Sequence, residues 1–375
     1  MNTHPLILTA MAASLHAFPA AAQGNLLSLP ERWTVTGDAS GFVTDHNEPV
    51  LRLRGSASLD DFVFQDGTIS FDVRLTHRAG FVGVRFRSAG TDAEHVYLRP
   101  HRSGEWDALQ YQPIMNGSPT WQLYRGEGYT APVALPHGEW ISIRIEVRGA
   151  NADLFVDGQP EPTMRIRLER GLTRGGIGFT AGFRDETPMS ELPGSFRRLV
   201  VNEATPSDQN SIPASVPTGD DPFVRSWEIS EPFPLASLPA TYLPDTVGVW
   251  NTVRAEPRGI VNLNRYFTRL QGTANTAVIA RKTIDADHDT IIPFVLDFSD
   301  HASVFLNGEL LFNGTNSWQS RYPYYLGVLH PDTMLNTLWL RLTRGENELS
   351  LVVTETAFGW GFVAKTGTVR GVRWR

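Results

Sequence analysis

The stretch TISFDVRL at residues 68–75 alternates apolar and polar side chains, with Ile69, Phe71, Val73 and Leu75 on the apolar side. Successive side chains of a β-strand point to opposite faces of a sheet, so this period of two predicts a strand with one buried face. The same pattern recurs between Gly, Pro, Asn and Asp residues, and helical periodicity is nearly absent. Further strands are predicted at 81–88, 95–100, 140–149, 152–158, 175–183, 196–202, 290–298, 302–312, 337–342 and 347–353. Many short strands between turn residues predict an all-β protein.

A change in composition separates these strands into two blocks. Residues 204–222 are rich in Pro, Ser, Thr and Asp and contain few apolar side chains, which predicts a short polar linker. The flanking ranges 25–203 and 223–375 are each long enough to form a β-sandwich. The pairs Asp157-Gly158 and Asn307-Gly308 predict hairpins, because these residue types tolerate positive φ. The predicted fold is therefore two β-sandwich domains joined by a linker.

Composition narrows the classes of partner. The 375 residues include 33 Lys and Arg against 40 Asp and Glu, a net charge of −7, and no basic block that would bind nucleic acid. Residues 1–22 combine an apolar run with small residues before Gln23, which predicts a signal peptide and export to the periplasm or the medium of a bacterium. No other stretch has the length of a membrane span, so no transmembrane segment is predicted.

Residues 97–129, YLRPHRSGEWDALQYQPIMNGSPTWQLYRGEGY, concentrate planar polar and aromatic side chains. Amides, carboxylates and guanidinium groups pair with the hydroxyls of a sugar, and aromatic faces cover its C–H faces. The alternative is a long polar loop whose aromatic side chains fill the edges of the core. The candidate substrate-binding residues are Arg99, His101, Gln110, Tyr111, Asn116, Trp121, Gln122, Tyr124 and Tyr129.

These stretches carry a resemblance to known families. The first block, with the Asp157-Gly158 turn, GGIGFTAGF at 175–183 and the segment 97–129, resembles the concanavalin A-like/laminin G-like jelly rolls, including bacterial domains grouped with 3-keto-disaccharide hydrolases. In the second block, residues 296–314 and 344–365 resemble galactose-binding-like jelly rolls. The resemblance implies two jelly-roll sandwiches, and a glycan or small sugar as the partner.

Hydrolysis of a glycosidic bond requires two carboxyl groups that flank it. Asp107 and Glu127 are the candidate catalytic pair, with His101 as a proton carrier. The first block contains no Glu-x-Asp-x-Glu strand motif, and Arg102 and Arg125 lie close to the two acids in sequence. Three hypotheses therefore stay open: a glycan-binding protein, which is favoured; a carbohydrate-active enzyme, either a glycoside hydrolase or a lyase; and an envelope protein–protein interaction module.

No cofactor is predicted from the sequence. Asp285, Asp287 and Asp289 alternate like oxygen ligands for calcium, but the Gly and the distal Glu of an EF-hand loop are missing. A structural calcium ion therefore stays open. Trp318 lies in an aromatic loop at 315–327 that could either stack on a sugar ring or plug a neighbouring domain.

Overall fold

The structure is a computed structural model that describes residues 24–182, 192–204, 206, 221–243, 248–318, 320, 327–331 and 336–375. The predicted signal peptide and nearly all of the predicted linker lie outside these residues. Within them the strands pair antiparallel, no α-helix occurs, and no helix is long or apolar enough to cross a membrane. The short 3-10 helices are Leu26–Ser28, Pro30–Arg32, Pro100–Arg102, Trp121–Leu123 and Leu263–Arg265.

The first part of the chain forms a sandwich of two sheets. Its strands are β1 Trp33–Thr36, β2 Gly41–Asp45, β3 Glu48–Leu53, β4 Gly55–Leu59, β5 Gly67–Leu75, β6 Phe81–Ala89, β7 Asp92–Leu98, β8 Leu109–Met115, β9 Ser118–Pro119, β10 Thr130–Ala131, β11 Trp140–Arg148, β12 Asn151–Val156, β13 Met164–Arg167, β14 Gly176–Gly182 and β15 Gly194–Asn202. Sheet A has the order β1-β4-β14-β6-β7-β8-β10, with β9 beside β8, and sheet B has the order β13-β12-β11-β5-β15-β3-β2. Phe179 of sheet A stacks on Phe196 of sheet B at 4.1 Å between ring centroids, so their inner faces share one core.

The second part of the chain repeats this architecture. Its strands are β16 Ser226–Ser230, β17 Phe233–Pro234, β18 Trp250–Arg254, β19 Ile260–Asn262, β20 Thr276–Ala286, β21 Thr290–Ser299, β22 His301–Leu306, β23 Glu309–Thr315, β24 Asn336–Leu342, β25 Gly345–Glu355, β26 Gly361–Thr366 and β27 Val372–Trp374. Sheet C has the order β18-β16-β20-β25-β22-β23, with β17 and β27 beside β20, and sheet D has the order β19-β26-β21-β24. Trp227 of sheet C meets Phe362 of sheet D edge to face at 5.1 Å, inside the second core.

The two predicted hairpins differ in the structure. Asn307 and Gly308 both have positive φ and join β22 to β23 directly, with Leu306 opposite Glu309, as expected for a two-residue turn. Asp157 and Gly158 also have positive φ, but β13 begins only at Met164, so this connection is a longer loop. The all-β sandwich fold predicted from the alternation is confirmed.

The two sandwiches meet along the edge of sheet A that carries β8, β9 and β10. Gln122 is completely buried there, and its amide donates hydrogen bonds to Asp300 Oδ1 at 3.0 Å and to the Gly327 carbonyl at 2.9 Å. Ile260 and Leu329, from the second part of the chain, pack in the core of the first sandwich. Buried polar groups need partners, so this amide fixes how the two sandwiches contact each other.

Candidate functional site

The outer face of sheet A carries a row of polar side chains on its central strands. Val84, Val96 and Tyr111 lie in the core, so their neighbours along each strand point outward. In the register of the strands, His95 lies opposite both Arg85 and Gln112, and Tyr97 lies opposite Gln110. Arg99 continues the outward face of β7. We call Arg85, His95, Tyr97, Arg99, Gln110 and Gln112 the polar row.

Hydrogen bonds connect the members of the polar row. Tyr97 donates from its hydroxyl to Gln110 Oε1 at 2.7 Å, and Gln112 Nε2 donates to His95 Nδ1 at 3.2 Å. His95 Nε2 lies 3.0 Å from the hydroxyl of Thr180. Burial, with a smaller contribution from the nearby Arg85 charge, lowers the pKa of His95 to about 3, so its ring is neutral at physiological pH. The row is therefore an ordered set of neutral donors and acceptors flanked by arginines.

A cavity lies where the polar row reaches the second sandwich. Its empty volume is about 250 Å³ when the part open to solvent is included, and its enclosed part has room for about one water molecule. The described residues that line it are Arg99, Trp106, Asp107, Gln110, Trp121, Tyr124, Trp318 and Val328. Arg99 forms an ion pair with Asp107, while its Nε is shielded from solvent and has no hydrogen-bond partner.

Aromatic side chains from both sandwiches stand beside the cavity. The ring of Trp318 meets that of Trp121 edge to face, with centroids 5.2 Å apart, and the ring centroid of Phe358 lies 6.2 Å from that of Trp121. Phe358 is 49% exposed and has φ of 71°, a conformation that is rare for a bulky side chain and typical of functional sites. We call Trp121, Trp318 and Phe358 the aromatic trio.

The structure separates the candidate catalytic residues. Asp107 is buried in the cavity wall, where Arg99 and Arg102 both pair with it, the latter from Nε at 2.8 Å. Glu127 is exposed and is not among the described lining residues, so it does not face Asp107 across the cavity. His101 packs its ring edge to face against Phe81 at 5.3 Å and is also outside that lining. Of the predicted pair, only Asp107 is among the described residues that line this cavity.

The candidate binding residues other than His101 divide into two groups. Arg99, Gln110, Trp121 and Tyr124 all line the cavity. The others support the structure around it: Tyr111 is fully buried and donates to Glu94 Oε2 at 2.6 Å, Tyr129 donates to Glu169 Oε1 at 2.7 Å, Asn116 donates to the Asn264 carbonyl at 2.7 Å, and Gln122 joins the sandwiches. These four make contacts expected of edge and junction residues.

Several members of this surface are not revealed by residue type alone. Arg85, His95, Tyr97 and Gln112 belong to it, although none was a candidate. A signal existed, because His95 and Tyr97, like Gln110 and Gln112, are polar or amphipathic residues two apart on a strand. Phe358 begins the apolar stretch FGWGF at 358–362 but lies on the surface, whereas Trp360 and Phe362 pack in the second core.

The aspartates considered for calcium contact other groups. Asp285 pairs with Arg375, Asp287 with Arg373, and Asp289 accepts the backbone N–H of Arg344 at 2.7 Å. Across the part of the chain that the structure describes, no group of three or more acidic, His or Cys side chains could hold a metal ion.

Comparisons with known proteins add solved structures but no sequence family. No protein-family model and no curated protein matches the chain. Among solved structures, the chain is similar to the carbohydrate-binding module CBM66 from Bacillus subtilis, with 12% identity over 46% of this chain and 96% of the module and a TM-score of 0.34. It is also similar to a galectin-like-fold protein of unknown function from Bacillus subtilis, with 14% identity over 47% and 91% and a TM-score of 0.35. A β-1,3-1,4-glucanase (lichenase) derived from a mouse hindgut metagenome matches at 11% identity over 50% and 99%, with a TM-score of 0.36. Likeness at this level does not bear on what this chain binds.

Proposed function

We propose that this protein binds a saccharide at the junction of its two sandwiches. The observation that carries the proposal is the meeting of Arg99, Asp107 and Gln110 in a cavity wall with the aromatic trio at its side, of which Trp318 and Phe358 are exposed. Arginine, carboxylate and amide groups form hydrogen bonds with hydroxyls, and aromatic faces accept the apolar face of a sugar ring. Both requirements of sugar recognition occur at one place.

The size of the cavity determines how the saccharide lies. The interior has room for about one water molecule, so it admits a hydroxyl group and not a whole ring. The ring then lies at the mouth, against Trp318 and Trp121, while one hydroxyl reaches toward Gln110 and Asp107. A site of this kind recognises one hydroxyl group by hydrogen bonds and binds the sugar ring through apolar contact with the aromatic side chains.

Binding is favoured over hydrolysis by the placement of the carboxylates. Asp107 is the one carboxylate among the described lining residues, and two arginines already pair with it. A glycosidase requires a second carboxyl group across the scissile bond, and Glu127 is exposed and is not among the described lining residues. The proposal includes export of the protein, which rests on residues 1–22 and predicts a mature N-terminus at Gln23 in a periplasmic or medium fraction.

The test is a glycan array on the mature protein, followed by calorimetry with the best-bound saccharide. Trp318→Ala should weaken binding about tenfold, because the ring loses one of its aromatic contacts. Trp339→Ala is the matched control, since Trp339 is 64% exposed but lies on β24 of sheet D and outside the trio. Equal affinities for the two variants would refute the site, and release of a product from the bound glycan would replace binding with catalysis.

A further inference from the structure

We propose that the polar row holds a second position, centred on Arg85, for an anionic substituent of the bound saccharide. The substituent is either the carboxylate of a uronic acid or a sulfate ester, since both present oxygen pairs that match a guanidinium group. This inference rests on the proposed saccharide binding and specifies its substrate class.

Among the residues that the structure describes, Arg85 is a cation without a counter-charge. It is partly buried on the outer face of sheet A, its Nε is shielded from solvent without a hydrogen-bond partner, and no described residue forms an ion pair with it. Burial lowers the pKa of Arg85. A partly buried charge is costly unless it is paired, so the site lacks a negative group.

Arg87, two residues further along β6, shows how this fold satisfies an arginine that only supports structure. Its guanidinium donates to the carbonyls of Gln65, Gly149 and Leu172 and to Asp66 Oδ1, at 2.7 to 2.9 Å. All three nitrogens of the Arg87 guanidinium therefore have partners within the chain. The contrast between Arg85 and Arg87, which belong to the same strand, indicates that Arg85 binds a group that is not part of this chain.

Gln112 gives a second, independent indication. Its side chain is only 6% exposed, Nε2 is used by His95, and Oε1 has no hydrogen-bond partner. A buried amide atom without a partner costs free energy, so a ligand atom or a water must complete it. His95 lies opposite both Arg85 and Gln112 in the register of the strands. The Gln112 amide and the Arg85 guanidinium therefore lie on the same part of the outer face.

This position is continuous with the cavity. Gln110 and Gln112 lie two residues apart on β8, about 7 Å along the strand, and Arg85 lies two strands across from β8, about 10 Å away. Arg85 is only partly buried, whereas the other members of the polar row are almost closed to solvent. A saccharide seated at the cavity mouth can therefore place an acidic group at the row through Arg85, its most accessible member.

The experiment is affinity electrophoresis of the mature full-length protein through gels that contain one polysaccharide each. Polygalacturonate and hyaluronan supply carboxylates, κ-carrageenan supplies sulfate esters, and pullulan and galactomannan are neutral. The chain carries a net charge of −7, so acidic polymers do not attract it nonspecifically. Retardation by at least one acidic polymer is expected, and the arm in which it occurs identifies the anionic group.

Arg85→Gln should weaken that retardation about tenfold or more in dissociation constant, because a charge-assisted hydrogen bond is lost. Arg52→Gln removes the same charge from an exposed position on sheet B and should have no effect. The melting temperature of Arg85→Gln should not fall, since no described residue pairs with the charge; a fall would make Arg85 structural and overturn the inference.

The remaining outcomes separate the two proposals. Retardation by neutral polymers only, or equally for Arg85→Gln and wild type, overturns the anionic position and leaves saccharide binding in place. No retardation by any polymer, together with a negative glycan array, overturns both.

Discussion

Trp121 of the first sandwich and Trp318 of the second meet edge to face, with ring centroids 5.2 Å apart and ring planes at 81°. Neither residue belongs to a strand. Trp121 begins the 3-10 helix Trp121–Leu123 of the first sandwich, and Trp318 follows β23 of the second. The aromatic trio therefore depends on the contact between the two sandwiches.

Gln122→Ala should destabilise the junction. The variant removes hydrogen bonds to Asp300 and Gly327 inside a region closed to water, so the free energy of unfolding should fall by about 2 kcal/mol or more. Urea unfolding followed by tryptophan fluorescence gives the value. Gln159→Ala, at an exposed position, should change it by less than about 0.5 kcal/mol. Equal values for the two variants would contradict the structural role of Gln122.

Glu355 should make the protein less stable as the pH rises. Burial, with a further contribution from the nearby Asp300, raises the pKa of Glu355 to about 8, although the Gly359 N–H and Arg269 act in the opposite direction. The unfolded chain loses this proton near pH 4.5, whereas the folded chain keeps it to about pH 8. Full stability is present below the lower value and is lost between the two, at about 1.4 kcal/mol per pH unit for one proton.

Glu355→Gln should flatten this dependence. The variant cannot ionise, so the difference in unfolding free energy between pH 5 and pH 8 should shrink relative to wild type. Glu139→Gln, at an exposed position, is the control and should keep the wild-type slope. An unchanged slope in Glu355→Gln would show that this carboxyl group is not the cause.

Phe358→Gly should stabilise the protein while it weakens saccharide binding. Glycine adopts positive φ without a steric penalty, so replacing Phe358 at φ of 71° should relieve about 1 kcal/mol of backbone strain. Phe358→Ala removes the same ring but keeps the strain. The two variants should bind the saccharide equally weakly, and thermal unfolding should rank the glycine variant higher. The reverse ranking would mean that the backbone is not strained.

Asp107→Asn should destabilise the fold, and Glu127→Gln should not. Asp107 neutralises Arg99 and Arg102 in a buried position, and removal of one partner of such a group costs about 3 kcal/mol. Glu127 is exposed, so its variant should retain the stability and the saccharide affinity of wild type. Loss of binding in Glu127→Gln without a change in stability would restore Glu127 to the site.

The strands were predictable because alternation reports burial directly. The stretch at 68–75 became β5, Gly67–Leu75, with every second side chain buried. β8 was not predicted, because all of its residues are buried. Its inward side chains lie in the core, and its outward side chains Gln110 and Gln112 are buried within the polar row. A polar residue that is buried on the outer face leaves no alternation to detect.

The junction could not be predicted, because the side chains that bind a sugar also join domains. Gln122 and Tyr124 have the amide and hydroxyl groups that suit a ligand, and the structure uses both to contact the second sandwich, Tyr124 through Glu256 Oε1 at 2.8 Å. Residue type records which hydrogen bonds are available and not which partner makes them. Trp121 and Arg99 fell within the same stretch and do line the cavity.

The distribution of the aromatic trio along the chain makes it a property of the two sandwiches together. Trp121 belongs to the first sandwich, and Trp318 and Phe358 belong to the second, so neither sandwich alone contains all three rings. A chain in which only the first sandwich has folded therefore still lacks the proposed saccharide site, which forms when the second sandwich docks against the first.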